Sequence, residues 1–297
     1  MATKRKAAKR SKSAKTRSAS PKVSARRAVS IATNEQRTDK QRVAALAGSP
    51  LAAFENDQDL EAVLNILRNK DESIAVRLGA LESLQAASFS GDAFAPYRGD
   101  FLATLRKIAD DPDPELRQRV LGILMREKDG FAQKKLLEGL KDPDKALVPP
   151  EKALQLLSYD VHAEAYSVAR DIVKNPPNDD ARREALRLLA ADAKAAPLFE
   201  KLLRDKKELR EIRQISASAL HALKPEKLQE QARKILLDKS DFDDIKATSL
   251  TALAQFGDDE ALGKDKALLK SVDRLSAGKA PAKYKQSARR FLGKFGQ

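Results

Sequence analysis

Residues that could perform catalysis or hold a metal are few in this chain. It contains two histidines, His162 and His221, which lie far apart in the sequence. The segment HAEAY that begins at His162 differs from the HExxH pattern, which supplies two zinc ligands and a general base. The chain has no cysteine, which excludes thiol catalysis, iron–sulfur clusters and disulfides. We therefore expect no catalytic residue, no metal ligand and no cofactor.

Two segments resemble ligand-binding motifs but lack the residues that bind the ligand. Residues 257–265, GDDEALGKD, have five residues between the glycines where a phosphate-binding P-loop has four, and Asp265 stands where Ser or Thr would bind magnesium. Residues 238–249 resemble a calcium-binding loop without Gly at its sixth position or Glu at its twelfth. The first segment is therefore not predicted to bind phosphate, and the second is predicted to be a turn between helices with N-capping acids.

Positive charge is concentrated at the N-terminus. The net charge is +14, but residues 1–42 hold 14 Lys or Arg against two acids, so residues 43–297 carry only +2. Residues 1–33 contain no acid, aromatic residue or glycine. They have too little apolar surface to fold, which predicts a disordered basic tail.

The tail is expected to contact nucleic acid or another polyanion without sequence preference. The alternatives are a tail that only raises solubility, or a targeting segment. The cations expected to make the contact are Lys4, Arg5, Lys6, Lys9, Arg10, Lys12, Lys15, Arg17, Lys22, Arg26 and Arg27.

The remaining chain carries a helical repeat. Glycine and proline are scarce, at 12 and 13 of 297 residues, while strong helix formers abound. In each repeat, a start residue is followed by a small residue three positions later and mostly by apolar residues four and seven positions later. Residues at these offsets lie on one helical face. Two helices per repeat, stacked on their neighbours, form an α-solenoid. The repeats start at Arg77, Arg117, Pro150, Arg182, Arg213, Lys246 and Lys285.

Residues 110–124, DDPDPELRQRVLGIL, resemble the second half of a HEAT repeat of the PBS-lyase-like kind. The resemblance covers residues 57–297 and implies an all-α fold, a solenoid of about seven HEAT-like helix pairs. It also implies that an Asp in the turn within each repeat, six residues before an Arg, contributes to a hydrogen-bonded ladder between adjacent repeats. The ladder residues are Asp71, Arg77, Asp111, Arg117, Asp144, Arg182 and Arg213.

The ladder is expected to be broken beyond the third repeat. Pro150 stands at an Arg position and cannot donate, and Pro176, Lys207 and Ser240 replace the Asp in later repeats. Residues two and five positions past each repeat start are predicted to line the concave face of the solenoid. They sum to a charge of only +2, so that face is not an electropositive groove.

The predicted organisation has three segments. Residues 1–33 form the tail, residues 34–56 a leading helix capped by Asn34 and a linker, and residues 57–297 the solenoid. An aromatic insertion at residues 88–101 lies between the first two repeats. Its aromatic side chains either contact a partner or fold back onto the core. They are Phe89, Phe94 and Tyr97.

These observations favour an interaction protein. We expect a non-enzymatic scaffold or adaptor whose solenoid surface binds a protein partner, while the tail contacts a polyanion. The alternative is a nucleic-acid-associated or DNA-processing HEAT-like protein similar to the alkylpurine DNA glycosylases, although the chain has no Trp. No apolar run is long enough to span a membrane. The expected location is the cytoplasm, on the nucleoid in a bacterium or in the nucleus of a eukaryote.

Overall fold

A computed structural model of the chain describes residues 24–48 and 57–296. The chain divides into two compact units, and the boundary lies between Ile108 and Ala109, inside the segment predicted to be one solenoid. Within the described ranges every regular element is a helix and there is no strand. This confirms the predicted all-α class. No helix in these ranges is long and apolar enough to cross a membrane.

The first unit contains two helix pairs and one further helix. Helix α1 packs on α2 and α3, α2 packs on α4, and α3 packs on α4 and α5. Two short 3₁₀ helices, Gly91–Ala93 and Ala95–Tyr97, precede α5. The α-helices described in this unit are α1 (Ala25–Ala32), α2 (Asp39–Gly48), α3 (Asp57–Arg68), α4 (Ile74–Ser88) and α5 (Arg98–Lys107).

Helix α1 lies within residues 24–33, part of the predicted disordered tail, and it corrects that prediction. The Ser24 hydroxyl accepts a hydrogen bond from the Arg27 backbone N–H at 3.4 Å and caps the helix. Ala25, Ala28, Val29 and Ala32 are buried against the neighbouring helices. Alanines at this spacing form a narrow apolar face that permits close packing. The overall composition of the segment does not reveal such a face. The predicted tail cations Lys4 to Lys22 lie outside the described residues.

The leading helix begins later than predicted. Helix α2 starts at Asp39, and Thr38 rather than Asn34 caps it. The Gln41 backbone N–H donates to the Thr38 hydroxyl at 3.3 Å, while the Gln41 side chain accepts from the Thr38 N–H at 3.2 Å. This reciprocal pair is a capping box. Asn34 instead accepts from the Gln36 N–H in the turn after α1.

The second unit consists of helix pairs stacked in two rows, as an α-solenoid requires. The second helices of the pairs contact one another in sequence from α6 to α17. Among the first helices, α7 contacts α9, α11 contacts α13, and α13 contacts α16. The α-helices of this unit are α6 (Pro114–Arg126), α7 (Gly130–Lys141), α8 (Pro150–Leu157), α9 (Ala163–Lys174), α10 (Asp179–Leu189), α11 (Ala196–Arg204), α12 (Arg210–Leu223), α13 (Pro225–Leu237), α14 (Asp243–Phe256), α15 (Asp259–Lys264), α16 (Lys266–Ala277) and α17 (Ala282–Phe295). The pairs are α7/α8, α9/α10, α11/α12, α13/α14 and α16/α17.

The repeat pattern locates the core correctly in six of its seven helices. The residues three, four and seven positions past each start from Arg77 to Lys246 are buried. In α17 the buried face is displaced: Arg289 is exposed, whereas Phe291 and Phe295 are buried with Ala288 in the core of the last two pairs.

Two glycines of the second unit lead to opposite predictions for stability. A Cβ at Gly122 in α6 would meet Leu156 Cδ2 and Arg126 Nη1 at 3.7 Å, which is ordinary contact. Because glycine is disfavoured inside a helix, Gly122→Ala is expected to stabilise the protein by about 0.5–1 kcal/mol. A Cβ at Gly139 in α7 would lie 2.8 Å from the Ala146 Cα, so Gly139→Ala is expected to destabilise by about 1–3 kcal/mol. Urea unfolding measures both changes, and a stable Gly139→Ala variant would contradict this close approach.

Candidate functional site

Arginines of the second helices bind carboxylates of the following pair. The Arg213 side chain is completely buried and donates from Nη1 and Nη2 to the two carboxylate oxygens of Asp241, each at 2.7 Å. Its Nε donates to the Leu203 carbonyl at 2.8 Å. Arg182 binds Glu208 in the same bidentate way, at 2.8 and 2.6 Å. The hydrogen bonds between these groups raise the pKa of Arg182 and lower the pKa of Glu208.

The ladder starts earlier and extends later than predicted. Arg42 of α2 binds both oxygens of Glu72, and its Nε donates to the Ala32 carbonyl at 2.7 Å. Each of these carboxylates lies two residues before the next second helix begins. Glu208 and Asp241 therefore continue the ladder beyond the third repeat, where it was expected to break.

Two of the predicted ladder acids are corrected by the structure. Asp71 and Asp144 are exposed. In the turn that contains Asp71, the carboxylate that binds an arginine is that of the next residue, Glu72. The observed ladder acids lie two residues before the next second helix, whereas Asp71 lies three and Asp144 six residues before it.

The remaining predicted ladder arginines bind backbone carbonyls. Arg77 is buried and donates from Nε to the Leu67 carbonyl at 3.2 Å. Arg117 is half-buried and donates from Nη1 to the Asp111 carbonyl at 2.6 Å and from Nε to the Leu147 carbonyl.

The three aromatic side chains of the insertion differ in their exposure. Phe94 is buried and packs edge-on against Phe101 and Tyr97, with ring centroids 5.7 and 6.2 Å away. A hydrogen bond to Asp57 raises the pKa of Tyr97. Phe94 therefore fits the alternative in which the ring folds back onto the core, whereas Tyr97 is half-buried beside it and its contact with a partner stays a prediction. Phe89 is 79% exposed and stays a candidate contact.

The histidines lie in different surroundings. His162 is exposed, and its Nε2 lies 3.0 Å from the Asp160 Oδ2. The ring of His221 packs against Phe256 with centroids 3.8 Å apart. In the described ranges no three or more His, Cys, Asp or Glu side chains are grouped so that they could hold a metal.

A groove of about 460 Å³ crosses the row of second helices near the C-terminal end of the second unit. Helices α12, α14 and α17 lie side by side there. We call it the polar groove. Four of its lining residues stand two or five positions past a repeat start, where the sequence predicted the concave face. They are Ser218, Thr248, Thr251 and Ser287.

The polar groove is lined by neutral hydrogen-bonding groups. Among the residues that the structure describes, no Lys or Arg lines it, and its one acid, Asp244, lies 3.6 Å from the guanidinium of Arg210. Thr248 donates its hydroxyl hydrogen to the Asp244 carbonyl at 3.1 Å, and Thr251 donates to the Ala247 carbonyl at 3.0 Å. Their oxygens therefore serve the groove as acceptors.

Sequence analysis missed part of this lining. Gln214, His221, Gln255, Phe256 and Tyr284 also face the groove. The prediction took only two positions from each helix, whereas successive helical turns present residues at intervals of three or four to one face. Extending the pattern by one turn in each direction finds Gln214, His221 and Gln255.

The comparison with solved structures finds similar all-helical proteins. Human deoxyhypusine hydroxylase, in complex with glycerol, is 14% identical, and the match covers 83% of this chain and 99% of that chain with a TM-score of 0.35. The complex of CpcE and CpcF of phycocyanin lyase from Nostoc sp. PCC7120 is 16% identical over 96% of this chain and 100% of that chain, with a TM-score of 0.28. No protein-family model and no curated protein matches the chain.

The expectation of a non-enzymatic scaffold is corrected by this comparison. The names of both similar structures are those of catalytic proteins, a hydroxylase and a lyase. The lack of a familiar catalytic motif in the sequence therefore does not make the chain a non-enzyme. At these identities and TM-scores the likeness is one of helical architecture, and no activity is transferred from either protein.

Proposed function

We propose that the polar groove binds an extended segment of a partner protein. The observation that carries the proposal is the lining: three adjacent helices present hydroxyl and amide groups but, among the described residues, no Lys or Arg, in a chain that has 57 of them. Packed helices lie about 8–10 Å apart, so three of them span about 20 Å. An extended polypeptide of about six residues has that length.

The chemistry of the lining matches a peptide backbone. The side-chain amides of Gln214 and Gln255 each donate and accept, so each can bind both the N–H and the C=O of a peptide group. The oxygens of Thr248 and Thr251 accept from further N–H groups. The His221 and Phe256 rings supply an apolar wall for a side chain of the bound segment.

Panning a phage-displayed library of random 12-residue peptides on the full-length protein tests this proposal. A selected peptide, labelled with fluorescein, is expected to bind at least tenfold more weakly to the double variant Gln214→Ala/Gln255→Ala. The double variant Gln118→Ala/Gln155→Ala removes two exposed glutamines from α6 and α8, outside the groove, and is expected to bind within twofold of the wild type. Equal binding by the two double variants would overturn the proposal.

We propose that the chain is a HEAT-repeat protein of the PBS-lyase-like kind. The support is the recurring Arg of the second helix, which binds a carboxylate of the next pair at Arg182 and Arg213 and, in the first unit, at Arg42. The location in the cytoplasm stays a prediction.

A further inference from the structure

A second groove in the C-terminal unit has the opposite electrostatic character. It has a volume of about 580 Å³ and lies between α13, α14 and α16. One acid, Asp243, lines it together with a floor that includes Leu236 and Leu275. We call it the cationic groove. Its basic residues are Lys239, Lys246, Lys270, Arg274 and Lys279.

This groove lies where the ladder lacks its carboxylate. Lys246 occupies in α14 the position that Arg213 occupies in α12. In the two preceding turns the residue two positions before the second helix is an acid, Glu208 or Asp241. Before α17 that residue is Ala280. The chain therefore has a ladder cation in α14 but no acid in the turn that should supply its partner.

Lys246 is poorly satisfied by its surroundings. Its exposure is only 8%, and the one hydrogen bond that its side chain forms within the described residues runs from Nζ to the Lys239 carbonyl at 3.3 Å. An ammonium group has three donors. A buried charge is costly unless it is paired and hydrogen-bonded. The Nζ group thus lines the groove with donor capacity that an incoming acceptor can use.

The other four basic residues of the groove also favour an anionic ligand. Lys239, Lys270, Arg274 and Lys279 are exposed. In contrast to Arg213 and many other basic residues of the unit, none of the four forms a salt bridge within the described residues. A concave site lined by charge of one sign concentrates ligands of the opposite sign.

We propose that the cationic groove binds an acidic segment of a partner polypeptide, in which Asp or Glu precedes a hydrophobic residue and its carboxylate contacts Lys246. The chain's own ladder shows this arrangement. The Asp241 carboxylate accepts from Arg213 and also from the N–H of Phe242 at 2.7 Å, and Glu208 likewise accepts from the N–H of Leu209 at 2.9 Å. The leucine floor receives the hydrophobic residue. This site is separate from the polar groove and does not depend on it.

The probe is a fluorescein-labelled peptide with the sequence of residues 238–246, DKSDFDDIK, titrated against the full-length protein at 0.15 M salt. It is expected to bind, and its Asp241→Asn version at least tenfold more weakly. Lys246→Gln is expected to weaken binding of the original peptide at least tenfold. Because Lys246 is buried, the exposed double variant Lys270→Gln/Arg274→Gln provides a second test that leaves the core intact, with the same expected loss.

A matched control separates the groove from general positive charge. The double variant Arg289→Gln/Arg290→Gln also removes two exposed cations, but from α17 outside the groove, and is expected to bind within twofold of the wild type. An equal loss in this control, or no binding of the peptide, overturns the proposal. Displacement of the peptide by inorganic phosphate at lower concentrations than by unlabelled peptide would make the site a phosphate site and overturn the carboxylate assignment. The Gln214→Ala/Gln255→Ala variant is expected to bind this peptide normally, so the two grooves are tested separately.

Discussion

Arg213→Ala is expected to destabilise the protein by about 3–5 kcal/mol, the usual cost of removing one partner of a buried ion pair. The guanidinium is completely buried and the Asp241 side chain is 3% exposed. Removal of Arg213 therefore leaves a carboxylate in the interior without its two charge-assisted hydrogen bonds. The Leu203 carbonyl loses its donor as well. Urea unfolding followed by circular dichroism measures the change.

Arg117→Ala is the matched control for this prediction. Arg117 holds the equivalent position in α6, but it is only half-buried and binds the carbonyls of Asp111 and Leu147. The expected loss is smaller, about 1–3 kcal/mol. The double variant Arg213→Leu/Asp241→Leu should recover much of the stability, because it leaves no buried charge without a partner. A double variant no more stable than Arg213→Ala would contradict this account.

Replacement of all nine Lys and Arg in residues 1–23 by Gln is expected to abolish most binding to duplex DNA. This segment holds nine cations and no acid. If about eight of them contact phosphates, log K of the wild type should fall with log salt with a slope near −7. Affinity should then drop roughly 10⁴-fold between 50 and 200 mM salt. The substituted protein should show little salt dependence. Fluorescence anisotropy with a labelled duplex measures both slopes.

The structure also defines the correct control for the DNA experiment. A truncation at residue 43, at the end of the cationic segment, would remove α1 and the ladder residue Arg42, so the substitutions must stop at residue 23. Arg26→Gln/Arg27→Gln removes two exposed cations of the folded α1 and is expected to lower the slope by no more than about 2. If the protein without the nine cations binds as tightly as the wild type, or if the wild type prefers one sequence, this tail-based proposal fails.

The helical class and the register of the second helices follow from the amino-acid pattern. Apolar residues at offsets of three, four and seven lie on one helical face whatever surrounds the helix, so the repeat is sufficient to assign Leu81, Leu121 and Leu250 to the core. The basic residues at the repeat starts are also recognisable in the sequence, because they recur at a fixed distance from that face.

The groups that these cations meet depend on tertiary packing. Arg213 reaches Asp241, 28 residues away on the next pair, and the reach depends on how consecutive pairs pack rather than on spacing within one turn. The same dependence explains why spacing pointed to Asp71 in place of Glu72. The absence of an acid from residues 278–281 can be read from the sequence, but the burial of Lys246 beside that turn is known only from the structure.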